Sequence, residues 1–273
     1  MTEPRFIDGP IGRIAVHDLG GSGDHTLLVS HATGFLGRVY RAMAAELSDT
    51  VRVVAFDFRG HGDSDTPQNE DDFSWQGMTD DLDAVIDHIG VDPLHGFGHS
   101  MGGAALLESE RRRPGTFTTA MVYEPIVPPG DFRDNSPMTR AALGRLRTFP
   151  TYADALRRYA AKPPLGLFRA DVLSDYVSHG FEAIDEEVTL KCTPESESAT
   201  FANAGTIRLN TLSEIAFEVV VAKSGDGGLP AQLANAIIEE LPNATSITFP
   251  TLTHFGPLQD PVVIANAVRD QLG

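Results

Sequence analysis

One stretch of the sequence decides the fold of this chain: Leu94-His95-Gly96-Phe97-Gly98-His99-Ser100-Met101-Gly102-Gly103. A short apolar run ends there in Gly-x-Ser-x-Gly, and the residues that follow have the composition of a helix. The pattern therefore predicts a strand, a sharp turn and a helix, with Ser100 at the turn. Glycines two residues before and after the serine suit such a turn, because strand and helix backbones approach too closely there for a Cβ atom. We expect Ser100 to adopt a strained backbone conformation that exposes its hydroxyl.

Length and composition limit the class of protein. A chain of 273 residues can form one large α/β domain, or a domain with an insertion, and its single cysteine, Cys192, excludes an internal disulfide. The net charge of −17 argues against nucleic acid or an anionic membrane as a partner, since both would repel the protein. The stretch Met1 to Arg5 has no cationic, apolar leader and no apolar run has the length of a membrane span, so we expect a soluble, cytoplasmic protein.

Apolar runs alternate with helical segments along most of the chain. Residues 5–8 and 11–19 alternate apolar and polar positions, which predicts an antiparallel hairpin at a sheet edge. The segment 79–90 has apolar residues at helical spacing. The runs 26–30 and 51–56 have the apolar composition of strands covered on both faces. Further strands are predicted at 118–123, 216–222 and 246–249. Strands that alternate with helices predict an α/β fold with a mostly parallel sheet.

The alternation is interrupted between residues 127 and 213. This part has helical patterns near 138–147, 152–161 and 170–178, and a short strand pattern at 188–192. Because the alternation resumes afterwards, we interpret residues 127–213 as an inserted lid. Residues 1–126 and 214–273 would then form the core domain.

Three predicted strands end at residues that suit nucleophilic catalysis. Ser100 follows one strand, Asp226 a second and His254 the last. A serine hydroxyl needs a neighbouring base, and the base needs an acid that orients it. Loops at the carboxyl ends of parallel strands gather on one edge of the sheet, so we expect these residues to converge.

Four stretches, taken in order, resemble the α/β-hydrolase fold superfamily, and the resemblance covers nearly all of the chain. They are His31-Ala32-Thr33-Gly34-Phe35, residues 57–64, Gly98-His99-Ser100-Met101-Gly102-Gly103 and His254-Phe255-Gly256-Pro257. The resemblance implies an eight-stranded, mostly parallel sheet with helices on both faces and a helical cap inserted after the sixth strand. It also implies catalysis that requires neither a cofactor nor a metal.

The resemblance also assigns roles to individual residues. Ser100 corresponds to the nucleophile and His254 to the base that later protonates the leaving group. The backbone N–H groups of Thr33 and Met101 correspond to the oxyanion hole.

The identity of the acid stays open at this point. In the family the acid commonly follows the seventh strand, which favours Asp226 in Ser224-Gly225-Asp226-Gly227-Gly228. Some members instead place it after the sixth strand, where Glu124 is the alternative. We prefer Asp226, and expect its side chain to accept a hydrogen bond from His254.

These residues predict a serine hydrolase that cleaves a small or medium ester, lactone or thioester through an acyl-enzyme. A carbon–carbon bond hydrolase or a perhydrolase would use the same residues, and a non-catalytic member of the fold would bind a small ligand in the same place. The expected partner is a small-molecule substrate, with no nucleic acid and no membrane. The oligomeric state is open, and a homo-oligomer is compatible with the sequence.

Overall fold

The computed structural model of the chain describes residues 3–91, 93–128 and 136–272. The N-terminal prediction for Met1 and Thr2, and the part of the predicted lid at 129–135, fall outside these ranges.

The described residues form two β-sheets. The larger sheet has eight strands in the order β1-β2-β4-β3-β5-β6-β10-β11, and the smaller has the order β7-β9-β8. The strands are β1 (Arg5–Asp8), β2 (Arg13–Gly20), β3 (His25–Ser30), β4 (Val51–Phe56), β5 (Leu94–His99), β6 (Thr119–Tyr123), β7 (Thr148–Phe149), β8 (Phe181–Ile184), β9 (Glu187–Leu190), β10 (Val219–Ser224) and β11 (Ala244–Phe249).

In the larger sheet β1 pairs with β2 and β2 with β4 in antiparallel fashion, and every other neighbouring pair is parallel. The predicted hairpin is confirmed, since β1 is the edge strand and Arg5 faces Val16. The mostly parallel, eight-stranded sheet is confirmed as well.

Ten α-helices accompany the sheets in the described residues. They are α1 (Arg41–Leu47), α2 (Trp75–Ile89), α3 (Met101–Arg112), α4 (Pro137–Leu143), α5 (Tyr152–Ala160), α6 (Ala170–Gly180), α7 (Pro194–Ala202), α8 (Leu229–Glu240), α9 (Gly256–Gln259) and α10 (Pro261–Leu272). Short 3₁₀ turns lie at Gly37–Tyr40, Glu70–Phe73, Leu165–Leu167, Ala204–Thr206 and Leu209–Glu214. Within the described ranges, none of the helices combines the length and the apolar character needed to cross a bilayer.

Helices cover both faces of the large sheet, as predicted. Successive side chains of a strand point to opposite faces, so each buried strand contributes to two clusters. Leu27 and Val53 belong to one cluster with α1 and α10, whereas Leu28 and Val54 belong to another with α2, α3 and α8. This two-sided burial explains why the strand sequences are continuously apolar.

The predicted lid contains α4 to α7 and the small antiparallel sheet. The sequence predicted one strand there, which corresponds to β9, but not β7 and β8. β7 has only two residues, and three of the four residues of β8 are exposed, so neither forms an apolar run that the sequence would reveal. The segment is therefore a mixture of helices and strands and not purely helical, and its separation from the core as a domain remains a prediction.

Candidate active site

Ser100 lies at the sharp turn between β5 and α3, with φ 56° and ψ −117°. Its N–H donates to the Tyr123 carbonyl at 3.0 Å, which fixes the turn against β6. A Cβ atom at Gly98 would lie 2.5 Å from the Gly103 Cα, and one at Gly102 would lie 2.1 Å from the Ser30 carbonyl oxygen. The strained serine and the close backbone approach at both glycines are as predicted.

We expect Gly102→Ala to destabilise the protein by about 3 kcal/mol or more, because the atoms that its Cβ would meet belong to the backbone of β3 and cannot move aside. Urea unfolding measures this difference. Gly144→Ala is the matched control, since a Cβ there has no neighbour closer than 3.5 Å. Equal stability of the two variants would contradict the close packing of the turn.

His254, in the loop between β11 and α9, connects Ser100 to a carboxylate. Its Nε2 lies 3.1 Å from the Ser100 Oγ, and its Nδ1 lies 2.8 Å from Oε2 of Glu124. The other carboxylate oxygen, Oε1, accepts from the Ser224 N–H at 2.8 Å and from the Ser224 hydroxyl at 2.6 Å. The ionised carboxylate accepts hydrogen bonds only, so the proton of a neutral His254 lies on Nδ1. Nε2 is then free to accept the proton of Ser100. We call Ser100, His254 and Glu124 the relay.

The predicted pairing of Asp226 with His254 is wrong. Asp226 is exposed; its Oδ1 accepts from the Gly228 N–H at 2.8 Å and lies 2.9 Å from the Ser224 hydroxyl oxygen. Asp226 does not contact His254 because it lies two residues beyond the end of β10, where it supports the start of α8. The alternative acid, Glu124, occupies the position opposite His254 Nδ1.

Glu124 reaches His254 through an unusual backbone conformation. Its φ is 41°, a left-handed value that costs a non-glycine residue about 1–2 kcal/mol. Its N–H donates to the Ala222 carbonyl at 2.8 Å, and its side chain is fully buried. Backbone strain retained at such a position is typical of functional sites.

The residues predicted to form the oxyanion hole are neighbours. The Thr33 hydroxyl donates to the Met101 sulfur at 3.4 Å, which places the two residues side by side next to Ser100. Met101 is the first residue of α3, where the N–H groups have no partner within the helix and the helix dipole is positive. The Thr33 N–H donates to no other described residue. The two N–H groups can therefore receive negative charge that develops on a substrate oxygen.

Two further side chains hold the His254 loop in place. His99 Nε2 donates to the His254 carbonyl at 2.8 Å, while its Nδ1 accepts from the Tyr40 hydroxyl at 2.8 Å. Burial, with a smaller contribution from His254, holds the pKa of His99 well below its usual range, so this imidazole stays neutral. The Tyr123 hydroxyl donates to the Thr253 carbonyl at 2.8 Å. No sequence signal indicates the contact of His99 with the His254 loop.

Two other buried histidines support the neighbouring loops. His31 accepts from the Phe58 N–H at 3.0 Å and donates to the Ala32 carbonyl at 2.8 Å. Burial lowers the pKa of His31 to about 3. His61 donates to the Arg59 carbonyl at 2.9 Å, and burial lowers its pKa as well. Both side chains make structural hydrogen bonds, and both are neutral in the folded protein at ordinary pH.

Buried neutral histidines make stability depend on pH. Burial lowers the pKa of His31, His61 and His99 in the folded protein, so they bind fewer protons there than in the unfolded chain, where they are protonated below about pH 6.5. The unfolded state then binds more protons, so stability is lost as the pH falls below that value. The free energy of unfolding should therefore fall between about pH 7.5 and about pH 5.5, by at most about 1.4 kcal/mol for each of the three residues. Urea unfolding at both pH values in moderate salt measures this, and an unchanged free energy would contradict the neutral histidines.

One group of side chains has the composition of a metal site. Candidate ligand atoms of His17, Asp57 and Asp63 lie within 4.8 Å of one another. The Asp57 carboxylate, however, already contacts His17 at 2.9 Å and accepts from the N–H groups of Gly37 and Asp63 at 2.7 and 2.8 Å. The Asp63 carboxylate pairs with Lys191. These contacts account for the cluster as loop support.

A cavity of about 440 Å³ adjoins the relay. Its wall includes Thr33 of the predicted oxyanion hole and Phe255, the residue after His254, but none of the three relay residues, and most of it belongs to the predicted lid. Its apolar wall includes Phe35, Leu146 and Phe149. This volume is in the range of small-molecule sites.

A serine on such a turn, at the carboxyl edge of a parallel sheet with helices on both faces, defines the class of α/β hydrolases. Residues 16–267 match the family model described as "Alpha/beta hydrolase family". The chain belongs to that family.

The alignments with individual proteins are either short or low in sequence identity. The magnesium-chelatase 30 kDa subunit of Rhodobacter capsulatus is 37% identical over 101 residues, which is 37% of this chain and 34% of that protein. The aligned part thus spans about a third of that relative. BpoC of Mycobacterium tuberculosis, a candidate non-heme bromoperoxidase, is 26% identical over 266 residues, which is 92% of this chain and 95% of that protein. Among solved structures, E-2-(acetamidomethylene)succinate hydrolase superposes with a TM-score of 0.82 at 16% identity, over 98% of each chain.

Proposed function

We propose that the protein is a serine hydrolase that cleaves an ester, lactone or thioester through an acyl-enzyme. The observation that carries this proposal is the relay, in which Ser100, His254 and Glu124 are joined by hydrogen bonds of 3.1 and 2.8 Å. Nucleophile, base and orienting acid then stand in the arrangement that acyl transfer requires.

In the first half of the reaction, His254 Nε2 takes the proton of Ser100 as Oγ attacks the substrate carbonyl carbon. The carbonyl oxygen becomes an oxyanion and accepts hydrogen bonds from the N–H groups of Thr33 and Met101. Glu124 stabilises the imidazolium that forms. His254 then gives its proton to the departing alcohol or thiol, which leaves Ser100 acylated.

In the second half, a water molecule gives a proton to His254 and attacks the acyl carbon. The same N–H groups stabilise the second oxyanion. When it collapses, Ser100 Oγ leaves and recovers its proton from His254, and the carboxylic acid is released. Every step uses groups of the relay and of the predicted oxyanion hole, so no further group is needed.

A substrate panel tests the type of bond. Purified protein is assayed with a 4-nitrophenyl ester, a lactone, a thioester and a diketone, and Ser100→Ala serves as the control for background. Ester, lactone or thioester turnover that disappears in Ser100→Ala supports the proposal. Turnover of the diketone alone would replace it with carbon–carbon bond hydrolysis.

The similarity to BpoC adds one arm to the panel. A perhydrolase would convert a carboxylic acid and hydrogen peroxide into a peracid at the same serine. Peracid formation faster than ester hydrolysis would assign perhydrolysis. Binding of substrates without any turnover would assign a non-catalytic member of the family.

A further inference from the structure

Among the described residues, four charged side chains line the cavity beside the relay, and one of the three cations is paired with the single anion. Arg145 forms an ion pair with Glu197, and it also donates to the hydroxyl groups of Tyr159 and Tyr176, the former at 3.2 Å. The remaining two charged residues in the cavity wall are Arg158 and Lys162. Both are cations.

Arg158 and Lys162 are unpaired. Within the described ranges, neither charged group forms an ion pair or a hydrogen bond, although the chain has 38 acidic residues against 21 basic ones. The adjacent Arg157, in contrast, pairs with Asp154 at 2.6 Å and does not line the cavity. Two unpaired cations on one cavity wall are therefore notable in a protein with a net charge of −17.

The solvent exposure of Arg158 and Lys162 shows where they lie in the cavity. Arg158 and Lys162 are exposed, whereas Thr33 at the predicted oxyanion hole is buried. The cations therefore lie at the opening of the cavity, and the predicted oxyanion hole lies at its inner end. The side chains of Leu146, Phe149 and Leu165 supply apolar wall.

We propose that the substrate carries an anionic group, a carboxylate or a phosphate, which Arg158 and Lys162 bind while the scissile carbonyl lies at Ser100. This inference rests on the proposed function and specifies its substrate class. The net negative charge of the protein repels anions at long range, so an anionic substrate would need local cations to bind in the cavity. An apolar segment between the carbonyl and the anion would fill the cavity. The alternative explanation for cations at these two positions is the dipole of α5, because the C-terminal end of a helix favours positive charge.

The test compares matched substrates. One is a 4-nitrophenyl ester of pentanoic acid, the second is the 4-nitrophenyl half-ester of glutaric acid, and the third is a thioester whose thiol carries a phosphate. The ratio of kcat/KM for an anionic substrate to that for the neutral ester should fall about tenfold in R158A/K162A, mainly through KM. Added salt should lower the wild-type ratio. Loss confined to the half-ester assigns a carboxylate, and loss confined to the thioester assigns a phosphate.

R157A is the matched control, since it removes one positive charge from the same helix outside the cavity. Its ratio should stay at the wild-type value. An equal fall in R157A would show general attraction by charge, and an unchanged ratio in R158A/K162A would leave the helix dipole as the reason for the cations. Either result overturns the proposal.

A binding measurement separates this inference from the proposed function. Calorimetry with the Ser100→Ala variant compares monoethyl glutarate with ethyl pentanoate, and neither needs to be hydrolysed. A preference of Ser100→Ala for the anion that is lost in S100A/R158A/K162A supports the anion site. This holds even if the wild type hydrolyses no ester. Equal affinity for the two compounds refutes it even if esters are hydrolysed rapidly.

Discussion

Glu124→Gln is expected to reduce kcat on the order of a thousandfold, because it reverses the proton position on His254. Glutamine has one accepting oxygen, whereas Glu124 uses two oxygens, one for His254 and one for Ser224. If the amide oxygen keeps the Ser224 N–H, the amide NH₂ faces Nδ1, which must then accept. The proton of His254 moves to Nε2, and Nε2 can no longer take the proton of Ser100.

Asp226→Asn is the comparison for this prediction. Asp226 contacts the Ser224 hydroxyl and the Gly228 N–H but not His254, so its replacement should change kcat only a few-fold. Steady-state rates on a 4-nitrophenyl ester, with thermal unfolding to verify the fold, measure both variants. An inactive Asp226→Asn beside an active Glu124→Gln would return the acid to the position after β10.

Ser100→Ala is expected to lose a thousandfold or more in kcat, leaving only the contributions of binding and of the oxyanion hole. The change removes one oxygen that is hydrogen-bonded only to His254 in the described chain, so the fold should persist. The measurement is the rate on the same ester together with the thermal unfolding midpoint. A variant that folds and keeps a near wild-type rate would show that another group is the nucleophile.

Much of the fold could be predicted from particular residues. The continuous apolar runs at 26–30 and 51–56 indicate strands buried on both faces, and these strands are β3 and β4. The glycines around Ser100 indicate the strand–turn–helix. The start of α2 was predicted at residue 79 but lies at Trp75, because the Ser74 hydroxyl accepts from the Gly77 N–H at 3.2 Å and caps the helix.

The site was harder to predict where it depends on backbone geometry. Both Glu124 and Asp226 follow strands that end at the same edge of the sheet, so strand order does not choose between them. The choice depends on the left-handed φ of Glu124 and on β10 continuing to Ser224, two residues past the predicted end of that strand. Neither feature has a sequence signature.

The role of the two cations in the cavity wall could not be predicted from the sequence either. Arg158 and Lys162 lie in a part of the sequence that shows no convergent charge pattern, since Arg157 beside them is a cation of the same kind. Only the packing of α5 in the predicted lid separates the residues that line the cavity from the one that pairs with Asp154.

The central claim is that Ser100 is a nucleophile activated by His254, and covalent labelling by a fluorophosphonate tests it most directly. Intact-mass spectrometry should show one adduct on the wild-type protein, and peptide mapping should place it on Ser100. Ser100→Ala should gain no mass, and Glu124→Gln should react far more slowly than Asp226→Asn. A folded wild-type protein that never gains the adduct, or gains it on another residue, would contradict the account.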